Sequence, residues 1–227
     1  MEGLQFVFGQ LQAMSMIQVL AVAALPVLFA ITLHEVAHGW AARMRGDRTA
    51  EMLGRLTLNP LKHMDPVGTV LVPAIMLLLP TPFLFGWAKP VPVTVENLAR
   101  KRKDMAIVGA AGPLANLAMA VIWTGVMFGG RALVEVAPGA ALFLILMGGV
   151  GVFANVLLGV LNLLPIPPLD GGRVVSALLP GPLSWKYDRL EPFGIWIVLG
   201  LLMLGILWNV IGPPIYALTG FFIGLVL

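Results

Sequence analysis

Two histidines and a glutamate stand within five residues, in the order His34-Glu35-Val36-Ala37-His38. In a helix of about 3.6 residues per turn, side chains four positions apart lie on one face, so both imidazoles can reach one metal ion. The glutamate then lies beside that ion and can accept a proton from water. The chain has no cysteine, so any metal here has nitrogen and oxygen ligands. The spacing predicts a metal site.

The alternative interpretation is a set of buried polar side chains that hydrogen-bond to neighbouring helices. The surrounding residues are apolar, however, and three ionisable groups inside a membrane-spanning helix are costly without a compensating partner. Arg43 and Arg45 mark the point where such a helix leaves the bilayer. At 1.5 Å per residue, His38 and His34 lie about 8 Å and 14 Å below that interface. The pattern therefore favours a metal site within the membrane.

A catalytic zinc ion usually has three protein ligands and keeps a fourth position for water. His63 is the only other histidine, and it lies in a predicted loop where a surface position is expected. Asp170 is the better third ligand, because the prolines before it force the chain out of the preceding helix. Gly171 and Gly172 then permit a sharp turn, which predicts an unwound segment that holds the carboxylate at membrane depth.

The composition indicates an integral membrane protein. Of 227 residues, 59% are hydrophobic and 11% are charged, and the mean hydropathy is +0.95. A soluble domain carries about 25% charged residues, so a soluble enzyme, a nucleic-acid-binding module and a disordered chain are excluded as first interpretations. The net charge of +3 is too small for a polyanion-binding surface. The expected partners are the lipid bilayer and a membrane protein, with no nucleic acid.

The sequence predicts an all-α polytopic membrane protein with about four to six transmembrane helices, because a span needs about 20 apolar residues. We expect one membrane domain over 1–227, with a core over 16–175 and C-terminal helices over 193–227. Two further apolar stretches, 66–85 and 213–227, are ambiguous because of prolines or length. The four stretches long enough to span are 16–42, 105–129, 140–165 and 193–211.

The basic residues indicate how the chain crosses the membrane. If 66–85 dips into the membrane and returns, 13 of the 14 lysines and arginines share one face, leaving only Arg131 opposite. The positive-inside rule favours this re-entrant hairpin, with the N-terminus outside. The same arrangement delivers Asp170 to the face of His34, whereas a spanning 66–85 would separate them. Residues 86–95, with alternating proline and valine, predict a short extended edge strand in a membrane-associated sheet element.

Three motifs together resemble the site-2 protease family of intramembrane zinc metalloproteases. They are HEVAH at 34–38, AGPLAN at 111–116 and the N-x-x-P-x-P-x-x-D-G pattern at 162–171. The stretches LGRLTLNPLKHMDPVGT and FGWAKPVPV are similar to its compact prokaryotic branch, and no PDZ-like insertion is found. The resemblance implies one zinc ion per chain, held by His34, His38 and Asp170, with Glu35 as general base. It also implies that Asn162 helps to hold the substrate strand.

These residues predict a zinc metalloendopeptidase that hydrolyses a peptide bond in or near a transmembrane segment of a membrane-protein substrate. The enzyme is expected in the cytoplasmic (inner) membrane, with its active site near the cytoplasmic face. The main alternative is a metal-ion transporter or channel that uses the same His34, His38 and Asp170 site. A conduction path usually places polar groups along the full depth of the bilayer, and few are found here. A third alternative, a catalytically silent scaffold, has no use for Glu35.

Overall fold

The computed structural model describes residues 2–78 and 86–227 and is built from α-helices. Short 3₁₀ turns and one π-helical segment, Pro66–Leu71, connect some of them. The helices are α1 (Glu2–Ala13), α2 (Met16–Met44), α3 (Thr49–Met52), α4 (Val72–Leu78), α5 (Lys101–Ala132), α6 (Pro138–Asn162), α7 (Asp170–Leu178), α8 (Gly181–Asp188), α9 (Glu191–Met203) and α10 (Ile206–Gly224).

Four helices in the described ranges are long and apolar enough to cross a membrane: α2, α5, α6 and α10. The first three confirm the spans predicted at 16–42, 105–129 and 140–165. Large hydrophobic side chains on the outer faces of these helices are exposed, as expected where lipid replaces water. The chain is therefore a multi-pass membrane protein.

The prediction of one spanning helix over 193–211 is wrong. Gly205 adopts a left-handed conformation with φ +71°, which is incompatible with a right-handed helix. One helix therefore ends before Gly205 and another begins after it. The result is the short helix α9 followed by α10. The tandem prolines Pro213 and Pro214 lie inside α10 rather than ending it, so 213–227 is not a separate segment.

The core of the bundle is the packing of α5 and α6 against each other and against α2. Glycines on α6 let the neighbouring helix approach closely. A Cβ atom added at Gly148 would lie 2.4 Å from Cγ of Met127, and one added at Gly151 would lie 2.3 Å from the ring of Trp123. Without a hydrophobic driving force in lipid, such close packing is what holds spanning helices together.

The predicted re-entrant hairpin at 66–85 is described in part. Its first arm forms the π-helical segment and α4, and residues 79–85 lie outside the described residues. The backbone N–H of Trp87 donates to the carbonyl of Gly68 over 3.1 Å, and the Thr69 hydroxyl donates to the carbonyl of Trp87 over 2.8 Å. Trp87, after the undescribed residues, therefore lies next to Gly68 and Thr69 at the start of the segment, as a hairpin requires.

The predicted edge strand at 86–95 is wrong, since no β-strand occurs in 2–78 or 86–227. Within the described part of the chain, no second strand lies alongside this segment to form a ladder. Its backbone groups are satisfied one at a time instead. The N–H of Lys89 donates to the carbonyl of His63 over 2.9 Å, that of Val91 donates to Glu35, and that of Thr94 donates to Asp47.

Asp47, just after α2, binds the C-terminal end of this segment through hydrogen bonds. Its carboxylate is 1% exposed and accepts hydrogen bonds from the N–H of Thr49 at 3.0 Å, the N–H of Thr94 at 2.7 Å and the amide of Asn97 at 3.0 Å. Burial acts to raise the pKa of Asp47, but these hydrogen bonds outweigh burial and hold the pKa below its usual value. Asp47 therefore stabilises the fold as an ionised group.

We expect Asp47→Asn to lower the free energy of unfolding by about 1–3 kcal/mol at pH 7, because hydrogen bonds to a buried charge are lost. A depressed folded-state pKa contributes stability above the unfolded-state value of about 3.9, and this contribution is lost as pH falls through the folded value. The difference between the two proteins should therefore shrink below about pH 4. Unfolding of detergent-solubilised protein across this range measures it, with Glu135→Gln in an exposed loop as control. Equal stability at pH 7 would contradict the assignment.

Candidate metal centre

The side chains of His34, His38 and Asp170 meet at one point between α2 and the start of α7. The Nε2 atoms of the two histidines lie 3.1 Å apart. The Asp170 Oδ2 atom lies 3.1 Å from His34 Nε2 and 3.2 Å from His38 Nε2. All three residues are buried, with exposed fractions of 8%, 4% and 5%. The structure thus brings together the two histidines and the aspartate that the sequence singled out.

The far side of each imidazole faces a hydrogen-bond acceptor. His34 Nδ1 lies 2.6 Å from Oδ1 of Asn116, whose own amide group donates to the carbonyl of Ala30 over 3.1 Å. His38 Nδ1 lies 2.7 Å from the carbonyl oxygen of Val108. An acceptor at Nδ1 favours the tautomer with its proton there, so both Nε2 atoms point their lone pairs at Asp170.

This set of atoms fits a zinc ion. Two Nε2 lone pairs and the buried Oδ2 of Asp170, which has no ordinary hydrogen-bond partner among the described residues, face one another at about 3 Å. Three acceptors so close repel unless a cation lies between them. Ligands at about 2.0–2.1 Å from one tetrahedral zinc are separated by about 3.3 Å, close to the distances found here.

Gly112 on α5 lets that helix pass directly over the two histidine rings. A Cβ atom added at Gly112 would lie 2.4 Å from His38 Nε2 and 2.6 Å from Cε1 of His34. The rings stand edge to face, 4.6 Å apart, so neither can turn away without disturbing the other. The site therefore requires a glycine at position 112.

Asp170 is not on an unwound segment, as the sequence suggested, but is the first residue of α7. The two glycines after it do not adopt positive φ values. A Cβ atom at Gly171 would lie 2.2 Å from the carbonyl oxygen of Leu163, and one at Gly172 would lie 2.6 Å from the nitrogen of Pro167. The glycines therefore allow α7 to begin against the end of α6, and this close packing aims Asp170 at the histidines.

Glu35 lies next to the centre on α2 and is half-buried. Its Oε2 atom accepts a hydrogen bond of 2.7 Å from the backbone N–H of Val91. The structure gives its other carboxylate oxygen no hydrogen bond to a described residue. One oxygen is therefore fixed and the other is available.

The other two residues considered lie outside the cluster. His63 is 1% exposed rather than on the surface, and its Nε2 lies 2.9 Å from the carbonyl oxygen of Thr57. Asn162, the last residue of α6, is half-buried and donates its side-chain amide to the carbonyl of Leu158 over 2.9 Å. The structure therefore gives neither residue a place among the ligand atoms.

Sequence reasoning missed three contributors to the centre. Asn116 and Gly112 lie inside the AGPLAN motif and its helix, and a buried asparagine in an apolar span is a signal that could have indicated Asn116. Asn116 also donates to Oδ1 of Asn155 over 2.9 Å, so the hydrogen-bond network that orients His34 extends to α6. The contact between Val91 and Glu35 joins distant residues through a backbone group, which no side-chain pattern reveals.

Comparison with known proteins relates this chain to metalloproteases. The profile of peptidase family M50 matches residues 131–205, which include Asp170. A Bacillus subtilis protein named "Putative zinc metalloprotease YwhC" is 35% identical over 191 residues, covering 80% of this chain and 82% of the relative. No solved structure gives a significant match.

Two mycobacterial proteins are also similar, both named "Putative zinc metalloprotease Rip2". The Mycolicibacterium smegmatis protein is 34% identical over 176 residues, and this chain spans 64% of its length. The Mycobacterium tuberculosis protein is 33% identical over 146 residues, and this chain spans 52% of its length. All three relatives thus carry names that refer to zinc-dependent proteolysis.

We expect Gly112→Ala to abolish metal binding, because the added methyl group would overlap both histidine rings. Gly125→Ala is the matched control on the same helix, since a Cβ atom there would have no atom within 4 Å. Zinc content of the detergent-purified proteins, measured by mass spectrometry, distinguishes them. Full zinc occupancy in Gly112→Ala would show that the metal binds elsewhere.

Asn116→Ala should weaken zinc binding by about 10- to 100-fold, because His34 loses the acceptor that fixes its tautomer and ring orientation. Asn155→Ala is the comparison, since it removes the second amide of the network and leaves the contact between Asn116 and His34. Competition with a chelator of known zinc affinity gives both values. A loss as large in Asn155→Ala as in Asn116→Ala would contradict a direct role for Asn116.

Proposed function

Because the chain belongs to peptidase family M50, the site-2 protease family, and is a zinc metalloprotease, we propose that it hydrolyses peptide bonds in or beside transmembrane segments of membrane proteins. The observation that carries the proposal is the position of the buried cluster. His34 and His38 lie inside the spanning helix α2, and His38 is six residues, or about 9 Å, from its end at Met44. A substrate bond must therefore reach this depth.

In this proposal the zinc ligands are Nε2 of His34, Nε2 of His38 and Oδ2 of Asp170. Their mutual distances and the acceptors behind both imidazoles support the assignment. When bound there, zinc supplies Lewis acidity, which polarises the scissile carbonyl and makes water a nucleophile at neutral pH. The protein's contribution is to hold the three ligands in fixed orientations in a buried pocket.

Glu35 is the proposed general base. The Val91 N–H holds its Oε2, which leaves the other oxygen to take a proton from the attacking water and to pass it to the departing amine. The half-buried position of Glu35 beside the ligand residue His34 supports this role.

The extended segment 86–94 is the proposed docking edge for an unwound substrate. A helical substrate hides its carbonyl groups in hydrogen bonds, so it must open before attack. Among the described residues, no acceptor is found for the N–H of Val93. In an extended chain the N–H groups of residues two apart point to the same side, so the N–H of Val93 points to the side on which Val91 donates to Glu35, where an added strand would lie next to the base.

A cavity of about 520 Å³ runs along this edge and supports the same proposal. Val91 and Val93 line one wall, and Gly172 and Arg173 on α7 line another.

Asn162 is proposed to help hold the substrate, as the motif suggests. Its side-chain oxygen has no hydrogen bond to a described residue, so it is available to a substrate N–H.

We place the centre near the cytoplasmic face of the cytoplasmic membrane. The supporting observation is the distribution of charge, since the only basic residue near the connection between α5 and α6 is Arg131, in the last turn of α5, whereas the other lysines and arginines lie toward the opposite end of the bundle. The alternative of a metal-ion transporter receives no support from the relatives, whose names refer to proteolysis.

We expect Glu35→Gln to retain one zinc ion per chain and to lower the cleavage rate by about 10²- to 10⁴-fold, because only the proton acceptor is lost. The probe is a synthetic peptide with one apolar spanning stretch and a central Asn-Pro pair, in detergent micelles, with products identified by mass spectrometry. Glu135→Gln, in an exposed loop, is the matched control. A Glu35→Gln protein that cleaves at the wild-type rate would remove Glu35 from the mechanism.

A further inference from the structure

Arg55 is a buried cation that forms no ion pair with a carboxylate of the described residues. The residue is 9% exposed, and no carboxylate oxygen of residues 2–78 or 86–227 lies within 4.0 Å of it. Its Nε atom is buried and finds no hydrogen-bond acceptor among the same residues. Burial of a guanidinium group is costly unless its charge is compensated, so this position calls for an explanation.

The guanidinium group binds the backbone of the extended segment. One Nη atom of Arg55 donates to the carbonyl of Lys89 over 2.8 Å and approaches the carbonyl of Pro90 at 3.4 Å. The peptide group that carries the Pro90 carbonyl also carries the N–H of Val91. That N–H donates to Oε2 of Glu35 over 2.7 Å.

A single peptide group therefore stands between a cation and an anion. The guanidinium of Arg55 lies at the oxygen end of the Pro90–Val91 peptide, and the carboxylate of Glu35 lies at its hydrogen end. This order matches the direction of the peptide dipole, so each contact strengthens the other. Arg55 and Glu35 are thus linked through one backbone unit rather than by direct contact.

The neighbouring packing keeps this unit in place against α2. Gly39, directly after His38, has no side chain, and a Cβ atom there would lie 2.6 Å from Cδ2 of Leu56 and 3.0 Å from Cγ1 of Val91. Leu56 follows Arg55 in the chain. Leu56 thus packs on α2, while Arg55 beside it extends to segment 86–94, whose Val91 contacts Glu35.

From this geometry we propose that Arg55 is a positioning residue, which holds the Pro90–Val91 peptide so that its N–H orients the Glu35 carboxylate for catalysis. The proposal rests on the proposed function, because it takes Glu35 as the base. Arg55 touches neither the ligand atoms nor the carboxylate itself, so its loss should leave zinc content unchanged.

The test compares Arg55→Met with Arg48→Met, a control of the same type whose side chain is 72% exposed. With the synthetic spanning peptide in detergent micelles as probe, we expect Arg55→Met to lower kcat by about 30- to 100-fold, as a misplaced catalytic group does, with little change in KM. Arg55→Lys keeps one donor for the Lys89 carbonyl and should recover part of the loss. Arg48→Met should behave as wild type.

A double-variant cycle tests whether Arg55 acts through the Val91 N–H. Val91→Pro removes that donor and should lower kcat to a similar extent, whereas Val91→Ala retains the donor and measures the part of the loss that comes from the valine side chain alone. In the Val91→Pro background, Arg55→Met should add less than about a threefold loss, because the two changes break the same connection. Independent, multiplied losses would overturn the proposal.

A spectroscopic measurement on zinc-free protein provides a readout that does not depend on activity. The amide proton signal of Val91 in valine-labelled protein, identified by its absence in Val91→Pro, should lie downfield because its acceptor is a carboxylate. It should move upfield in Glu35→Gln and in Arg55→Met and stay in place in Arg48→Met. An unchanged signal in Arg55→Met would overturn the proposal.

The outcomes separate the two proposals. If Glu35→Gln is inactive while Arg55→Met is fully active, the positioning role of Arg55 is wrong and the proposed function stands. If Glu35→Gln is fully active, the assignment of the base fails first. Should Arg55→Met lose its cooperative melting, Arg55→Lys decides by the same kcat and amide-proton criteria, and wild-type values of both would overturn the proposal.

Discussion

The close approach of three hydrogen-bond acceptors is the constraint on which the rest of this structure depends. The Nε2 atoms of His34 and His38 and the Oδ2 atom of Asp170 lie about 3 Å apart in a buried pocket, an arrangement that repels unless a cation is shared. The two ligand-bearing elements are far apart in sequence, so α5 and α6 must bring them together. Gly112 allows α5 to cover the rings, and the close contact of α7 with the end of α6 aims the carboxylate.

Segment 86–94 presents an extended backbone within a membrane protein. It pairs with no strand of the described residues, and several of its polar groups are satisfied by side chains and single backbone contacts from α2 and the loops that follow it. Such a segment keeps some groups free for a partner, as at Val93, without exposing a whole strand edge to lipid. In the proposed mechanism this is where an unwound substrate pairs, and Arg55 keeps the same segment in register with Glu35.

The sequence predicted the proximity of His34, His38 and Asp170 because the constraints that bring them together are local or topological. The spacing of His34 and His38 is a property of one helix, and the side of the membrane reached by Asp170 follows from counting spans. The edge strand and the 193–211 span were wrong because they depend on tertiary context: a strand needs a neighbour, and the left-handed Gly205 divides an apolar run that hydropathy alone reads as continuous. Val91 and Arg55 act through backbone groups, which leave no signature in side-chain types.

The most direct test of the central claim, that zinc is held by His34, His38 and Asp170, is X-ray absorption at the zinc edge of detergent-purified protein. We predict a first shell of about four nitrogen and oxygen atoms at about 2.0–2.1 Å, with scattering from two imidazole rings. In Asp170→Ala that shell should lose its carboxylate oxygen or the metal altogether. A spectrum with three imidazoles, or one unchanged in Asp170→Ala, would contradict the ligand set and reopen the question of His63.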